Sequence, residues 1–423
     1  MRTLFRNARL LDPASGRDEI GALLVEDGRI AALGAGVSGD AQETVECGGR
    51  ILCPGLVDMR VFVGEPGAEH KETLASAGAA AAAGGITTMV VMPNTDPVLD
   101  DVALIEYVER HGRVACPVKV HPMASVTIGL AGERMAELGL LKSSGAVAFT
   151  EGDRALANAA VMRRALSYAT VMDALICQLP VEPELARDGV MNDGEMAMRL
   201  GLAGIPTQAE TIIVERDLRL VELTGGRWHA SLLSTAAAIE AVRQAKARRL
   251  PVTAAAAPHH FALNENAVGH YRTFTKTTPP LRSEEDRQAV VQGLKDGTID
   301  IICSSHKPED AESKRLPFEE AAEGVVGLET LLPIALELFH NGHMAMADLL
   351  ACLTCRPADL LKLEAGRLSE GGPADLCIFD PDRPWKIAAE DFAGKSKNTP
   401  FDERPVQGRV WRTVVDGRTV YQR

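Results

Sequence analysis

The sequence predicts an α/β fold: a closed (β/α)8 TIM barrel carrying a small β-sandwich built from both chain ends. Three observations carry this. The middle of the chain alternates strand-like and helix-like runs, both ends are β-rich, and 423 residues suit one large α/β domain plus a small one.

The elements follow in order. In LLVEDGRIAAL, Asp27 and Gly28 stand between two apolar runs, the signal of a type I′ hairpin. The C-terminal end repeats it: GRLSEGGPADLCIFDP is followed by RTVVDGRTVY, with Asp416-Gly417 at the turn. Residues 1–53 and 366–423 are therefore assigned to the small domain, and 54–365 to the barrel. Between them TTMVVM, VKVHPM, GAVAFT, ALICQL, RWHASLL, PVTAAAA and IDIICSS read as strands. Helical stretches such as AVMRRALSYA and AAIEAVRQAKARR separate them, and about eight such units close a parallel barrel. Gly84-Gly85, after the Ala-rich AGAAAAA, reads as a helix C-cap leading into the next strand.

Composition narrows the function classes. Hydrophobic residues at 46% support a sizeable core, and aromatics at 4% leave it mostly aliphatic. A net charge of −13 argues against nucleic acid or anionic membrane as a main partner. The long uncharged run Leu74 to Thr95 is broken by Gly84, Gly85, Thr87, Thr88 and Pro93, so a helix and a strand are expected there rather than a membrane span. The opening MRTLFRNARLLDPASG lacks a continuous apolar segment, so no secretory signal is expected and a cytoplasmic location is. The eight cysteines are dispersed in apolar runs, as reduced buried thiols would be; Cys352 and Cys355 form a lone CxxC without a second pair.

Chemistry on such a barrel lives at the C-terminal ends of the strands. Along its length the chain carries PGLVDMRVFVGEPGAEHKET, AAAGGITTMVVMPNTDPV, IPTQAE with VERDLRL, PVTAAAAPHHFAL, TPPLR, GVVGLET and, in the terminal β segment, SKNTPF. In these strings, over essentially its whole length, the chain resembles the dihydroorotase branch of the amidohydrolase superfamily. The resemblance implies a barrel that binds one or two zinc ions through a His-x-His pair, a bridging carboxylate, two further histidines and an aspartate. Here the His-x-His positions hold Arg60 and Phe62, and the bridging position falls on Glu151, with Asp153 close by. The next two histidine positions hold Gln178 and Leu232, and the aspartate that shuttles the proton is Ser305. The arginine that grips the substrate carboxylate is Gly64, the asparagine before PPLR is Thr278, and a later histidine is Glu309. Asn94 survives as a remnant of the substrate site.

Ligand chemistry then sets an expectation. Zinc takes thiolate, imidazole or carboxylate, and a catalytic site needs about three such donors plus an open position. Phe62 and Leu232 offer no donor atom, and Arg60 is a permanent cation. Without metal, a water is not brought to a pKa near 7, and without a carboxylate at position 305 no base stands beside it. The expected reading is a zinc-free, catalytically inactive structural subunit. By resemblance it assembles with the aspartate transcarbamoylase catalytic chain of pyrimidine biosynthesis and contacts a second copy of itself. The alternative is an active cyclic-amide hydrolase of dihydroorotase, hydantoinase or allantoinase type, with a rebuilt or metal-independent site.

Several side chains stay open at this level. Arg60 either faces water or replaces the metal as a fixed cation paired with Glu151 or Asp153; the pairing is favoured, because an unpaired charge in a barrel mouth is costly. His229, His259, His260 and His306 read as hydrogen-bonded core residues in preference to a new metal site built from His229, His306 and Glu151. A Ser304–His306 nucleophile pair is disfavoured for want of an identifiable oxyanion hole. The charged run Lys307 to Arg315 reads as a solvated face.

Overall fold

The computed structural model describes residues 2–423. Eight parallel strands form a closed barrel: β1 (Leu56–Val61), β2 (Ile86–Val91), β3 (Lys119–Pro122, continued by Ala124–Ser125), β4 (Phe149–Thr150), β5 (Leu175–Gln178), β6 (Arg227–Ala230), β7 (Val252–Ala256) and β8 (Ile301–Ile302). Closure comes from a parallel bridge between Val61 and His306 and from the Phe62 N–H donating to the His306 carbonyl at 2.9 Å.

Why these residues make strands and helices is local. Several barrel strands are buried along their whole length, the continuous apolar pattern of a parallel sheet covered on both faces. The helix Leu74–Ala83 starts at a Thr73 capping box and ends at Gly84, with Gly85 at φ +82° turning the chain into β2. Its buried Ala77, Ala80, Ala81 and Ala82 let it lie close on the barrel wall.

The two chain ends share one sheet. Strand Ile51–Pro54 pairs in parallel with Arg2–Asp12 and antiparallel with Leu376–Lys386, which continues to Pro405–Val415 and Arg418–Gln422. On the other side lie Arg17–Glu26 and Arg29–Gly34, giving an eight-stranded sheet with Glu43–Glu46 also on Arg2–Asp12. Both hairpin turns have positive φ at both central residues, 47° and 82° at Asp27-Gly28 and 45° and 73° at Asp416-Gly417, as type I′ requires. The two tips touch: a Cβ on Gly28 would stand 2.9 Å from the Asp416 carbonyl oxygen.

The main apolar core lies between barrel and helices. A second layer fills the barrel near its C-terminal rim with Met59, Met92, Met123, Cys177, Leu232 and Cys303. All eight thiols are free, and no helix among the described residues is long and apolar enough to cross a membrane.

Candidate active site

Arg60, in β1, is 6% exposed and reaches across the rim. Its Nη2 donates to Asp153 Oδ1 at 2.9 Å, while Nη1 lies 3.5 Å from the Gly152 carbonyl and 3.8 Å from Met92 Sδ. The second Asp153 oxygen accepts from Asn94 Nδ2 at 3.1 Å and pairs with Lys307 Nζ at 2.9 Å. Lys307 also pairs with Glu323 at 2.9 Å, and Glu323 accepts from the Thr278 hydroxyl. Four charges thus alternate along the mouth: Arg60, Asp153, Lys307, Glu323.

The electrostatics follow from this order. Burial works to raise the Asp153 pKa, but the charges of Lys307 and Arg60 outweigh it and hold the carboxyl below its usual value. Burial likewise works to lower Lys307, and Asp153 with Glu323 overcomes it and keeps the ammonium well above its ordinary value. Asp153 and Lys307 are therefore both ionised near neutrality. Deeper in, burial pushes the Asp58 carboxyl up to about 6, although it accepts from the Ser304 and Arg60 N–H groups.

The other positions singled out in the sequence are accounted for individually. Glu151 turns away from Arg60 and accepts from the Thr127 N–H and hydroxyl, both at 2.8 Å; burial raises its pKa. Phe62 lines the cavity beside Arg60, Ser305 and His306. Gln178 spends its amide on Leu156, accepting from the N–H at 3.1 Å and donating to the carbonyl at 3.5 Å. Leu232 is fully buried in the apolar layer that fills the barrel. Ser305 takes φ +50° at the turn out of β8. Gly64 sits at φ +85° with Ala68 packed against it, so the loop favours glycine where the family resemblance implies arginine.

The histidines are neutral core groups. His229 Nδ1 lies 2.8 Å from Thr253 Oγ1, and burial brings its pKa to about 3. His306 Nδ1 accepts from the Gly327 N–H, leaving the proton on Nε2, 3.9 Å from Glu72; its pKa is also about 3 through burial. His260 Nε2 is 3.1 Å from the Pro279 carbonyl, and His259, whose Nε2 has no partner among the described residues, stacks edge-on against it. His229 Nε2 and His306 Nε2 also lack a hydrogen-bond partner among the described residues, but with Glu151 they form no group placed to hold a metal.

Zinc does not fit this donor set. At the positions that the family resemblance implies for ligands stand a guanidinium, two hydrocarbon side chains, a committed amide and a hydroxyl, and the Glu151 carboxylate is spent on Thr127. Among the described residues no group of three or more His, Cys, Asp and Glu is placed to hold a metal.

The sequence reading missed Lys307 and Glu323. It placed Lys307 on a solvated face, whereas its side chain is 21% exposed and aimed into the mouth. Its position immediately after His306, at the exit of the last barrel strand, was the available signal. A cavity of about 1210 Å³ opens beside the charges, lined by Glu151, Asp153, Arg154, Lys276, Thr278 and Glu323. Asn94 Oδ1 is buried without a partner among the described residues, at the edge of an adjoining hollow.

Comparison with known proteins fits this geometry into a family. Residues 49–238 match the family described as Dihydro-orotase-like, and residues 228–420 the Amidohydrolase family. The chain is 43% identical over 422 residues to a protein named Dihydroorotase from Syntrophotalea carbinolica, covering 100% of this chain and 99% of that one. It is 43% identical to the Dihydroorotase of Anaplasma phagocytophilum, covering 98% and 94% respectively. Among solved structures, L-hydantoinase (dihydropyrimidinase) from Arthrobacter aurescens superposes with a TM-score of 0.90 over 99% of this chain and 96% of its own, at 24% identity, which speaks to the fold.

These relatives overturn the expectation of a non-catalytic chain: full-length identity of 41–43% to several proteins named Dihydroorotase groups it with enzymes. The expectation equated loss of zinc ligands with loss of chemistry. It left out the charge that Lys307 and Glu323 add to the Arg60–Asp153 pair in the same mouth.

Proposed function

Because the chain belongs to the dihydroorotase-like amidohydrolases, we propose that it hydrolyses and re-forms a cyclic amide of the dihydroorotate class at a rebuilt site that works without zinc. The carrying observation is Asp153, held ionised between two cations beside an unpaired amide oxygen. A carboxylate offers about four acceptor sites, and Arg60, Lys307 and Asn94 use three, leaving one for a water.

In this reading Asp153 takes a proton as water adds to the ring carbonyl. The Lys307 ammonium stabilises the oxyanion, and Arg60 holds the carboxylate in place. Collapse breaks the ring C–N bond, and the proton returns from Asp153 to the leaving nitrogen. Asn94 Oδ1 accepts from a ring N–H. A carboxylate of depressed pKa is a weak base, so its contribution belongs near the lower end of the ~10²–10⁴-fold range for general bases. Turnover of dihydroorotate and carbamoyl aspartate after exhaustive chelation tests the proposal. Retained turnover that Asp153→Asn removes supports it; absence of turnover in both directions, or turnover that requires zinc, overturns it.

Association with an aspartate transcarbamoylase catalytic chain and with a second copy belongs to the same proposal. Val114, Val171, Met198 and Leu223 stand exposed on the outside, apolar surface that an interface would cover. Co-expression and sizing test it: separate elution of the two chains counts against it.

A further inference from the structure

The buried residue Asn398 belongs to the C-terminal segment, far in sequence from the barrel mouth, yet its whole amide is spent there. Nδ2 donates to the Lys307 carbonyl at 3.1 Å and to the Gly324 carbonyl at 3.0 Å, and Oδ1 accepts from the Glu309 N–H at 3.1 Å. Its own carbonyl accepts from the Val326 N–H at 3.1 Å. Lys307 and Gly324 are the two ends of the charged loop that carries Glu323.

These ends also meet each other. The Lys307 N–H donates to the Val325 carbonyl at 2.7 Å, and Gly324, at φ +126°, lies so close that a Cβ would stand 2.8 Å from Lys307 Cγ. The segment bearing Asn398 is itself fixed to the barrel. The Ser396 hydroxyl donates to the Lys71 carbonyl at 2.8 Å, and the Lys395 N–H lies 3.2 Å from the Glu72 carboxylate. One side chain therefore closes the loop base and ties it to an anchored strand of chain.

We propose that Asn398 is the positioning residue for Lys307, so that the C-terminal segment sets where the site's ammonium stands. The inference rests on the reading of Lys307 given under Proposed function. Without the amide, two buried carbonyls and one N–H lose their partner, and the loop base relaxes. A displacement of about 1 Å at a reacting group costs up to ~10²-fold in rate.

Asn398→Ala and the isosteric Asn398→Asp, which keeps the acceptor but loses both donors, are compared with wild type. Ser396→Ala, which removes one anchor but keeps the Glu72 anchor of the segment and every Asn398 bond, is the control. The expected result is a kcat lower by ~10²-fold with KM within about 3-fold in both Asn398 variants, and near wild-type values in the control. Acylation of Lys307 by acetic anhydride, followed by mass spectrometry, should accelerate in both Asn398 variants while Lys246 at the far end of the barrel reacts unchanged. In the unmodified protein the Glu309 and Val326 amides should exchange with solvent deuterium only through global opening. Fast exchange at those amides, unchanged Lys307 acylation, or faster acylation with unaltered kcat would each overturn the inference. If wild type shows no turnover, the functional proposal fails, while acylation and exchange still decide whether Asn398 holds Lys307.

Discussion

Asp153→Asn removes one charge and almost no volume, so it isolates what the carboxylate does for the mouth. Arg60 is 6% exposed, and among the described residues its guanidinium pairs with no second carboxylate, reaching otherwise a carbonyl at 3.5 Å and a thioether at 3.8 Å. Stranding a buried cation costs about 3–5 kcal/mol. The Asp153 side chain is 22% exposed and Lys307 retains Glu323, so the cost here is discounted to ~2–3 kcal/mol. With an unfolding entropy of about 2.1 cal/mol/K per residue, a chain of this length loses roughly 2–3 °C in thermal midpoint. Adding Arg60→Met should recover most of the loss, because the stranded charge is gone and Met92 can accept a thioether neighbour. The cycle should show coupling of at least ~1 kcal/mol. Melting curves of the four proteins in low salt, with dihydroorotate turnover measured alongside, make the test. If Asp153→Asn melts at or above wild type, or the single losses simply add, the Arg60–Asp153 pair does not hold the mouth as described.

The pH–rate profile should be flat from about 7 to 9, above the Asp58 carboxyl at about 6: Asp153 titrates below the usual carboxylate value, Lys307 above the usual ammonium, His229 and His306 at about 3 and His260 at about 4. A limb near pH 7 that moves with added zinc would contradict this. The Asp153 contribution to stability should be fully present above the unfolded carboxyl pKa of about 3.9 and disappear as acid brings the pH through its lower folded value; acid titration of the melting midpoint reads it. Glu329 has the opposite sign. Burial raises its folded pKa to about 7, so the folded state binds the extra proton and stability falls as pH rises from about 4.5 to 7. Glu329→Gln should therefore remove a pH dependence of roughly 3 kcal/mol and stabilise the protein at pH 8, as denaturation at pH 5 and pH 8 will show. Arg60→His combined with Phe62→His should not bind stoichiometric zinc, because Gln178 and Leu232 still offer no ligand; metal analysis after dialysis checks it.

Most of the fold was legible because its signals are local. Period, glycine punctuation and the two Asp-Gly turns act within a few residues, and both turns adopt the positive φ values their type demands. The site was legible only by subtraction. The family resemblance implied which ligand positions differ, but not which of Glu151 and Asp153 would face Arg60. That choice depends on Thr127, which captures Glu151 through two bonds from a different loop. Lys307 escaped for a similar reason: a charged run looks solvated until a distant asparagine folds it back over the rim. Leu232, at a position where the family resemblance implies a histidine, completes the apolar filling of the barrel.

The shared terminal sheet has a consequence for synthesis on the ribosome. Strand Ile51–Pro54 is made early, but its antiparallel neighbour Leu376–Lys386 emerges only after the entire barrel has been translated. At about 5–20 residues per second, that edge waits roughly 15–65 s with its hydrogen-bonding groups open. A ribosome that stalls late, or a message cut short of the last strands, releases a chain with a sticky N-terminal edge that invites aggregation and degradation.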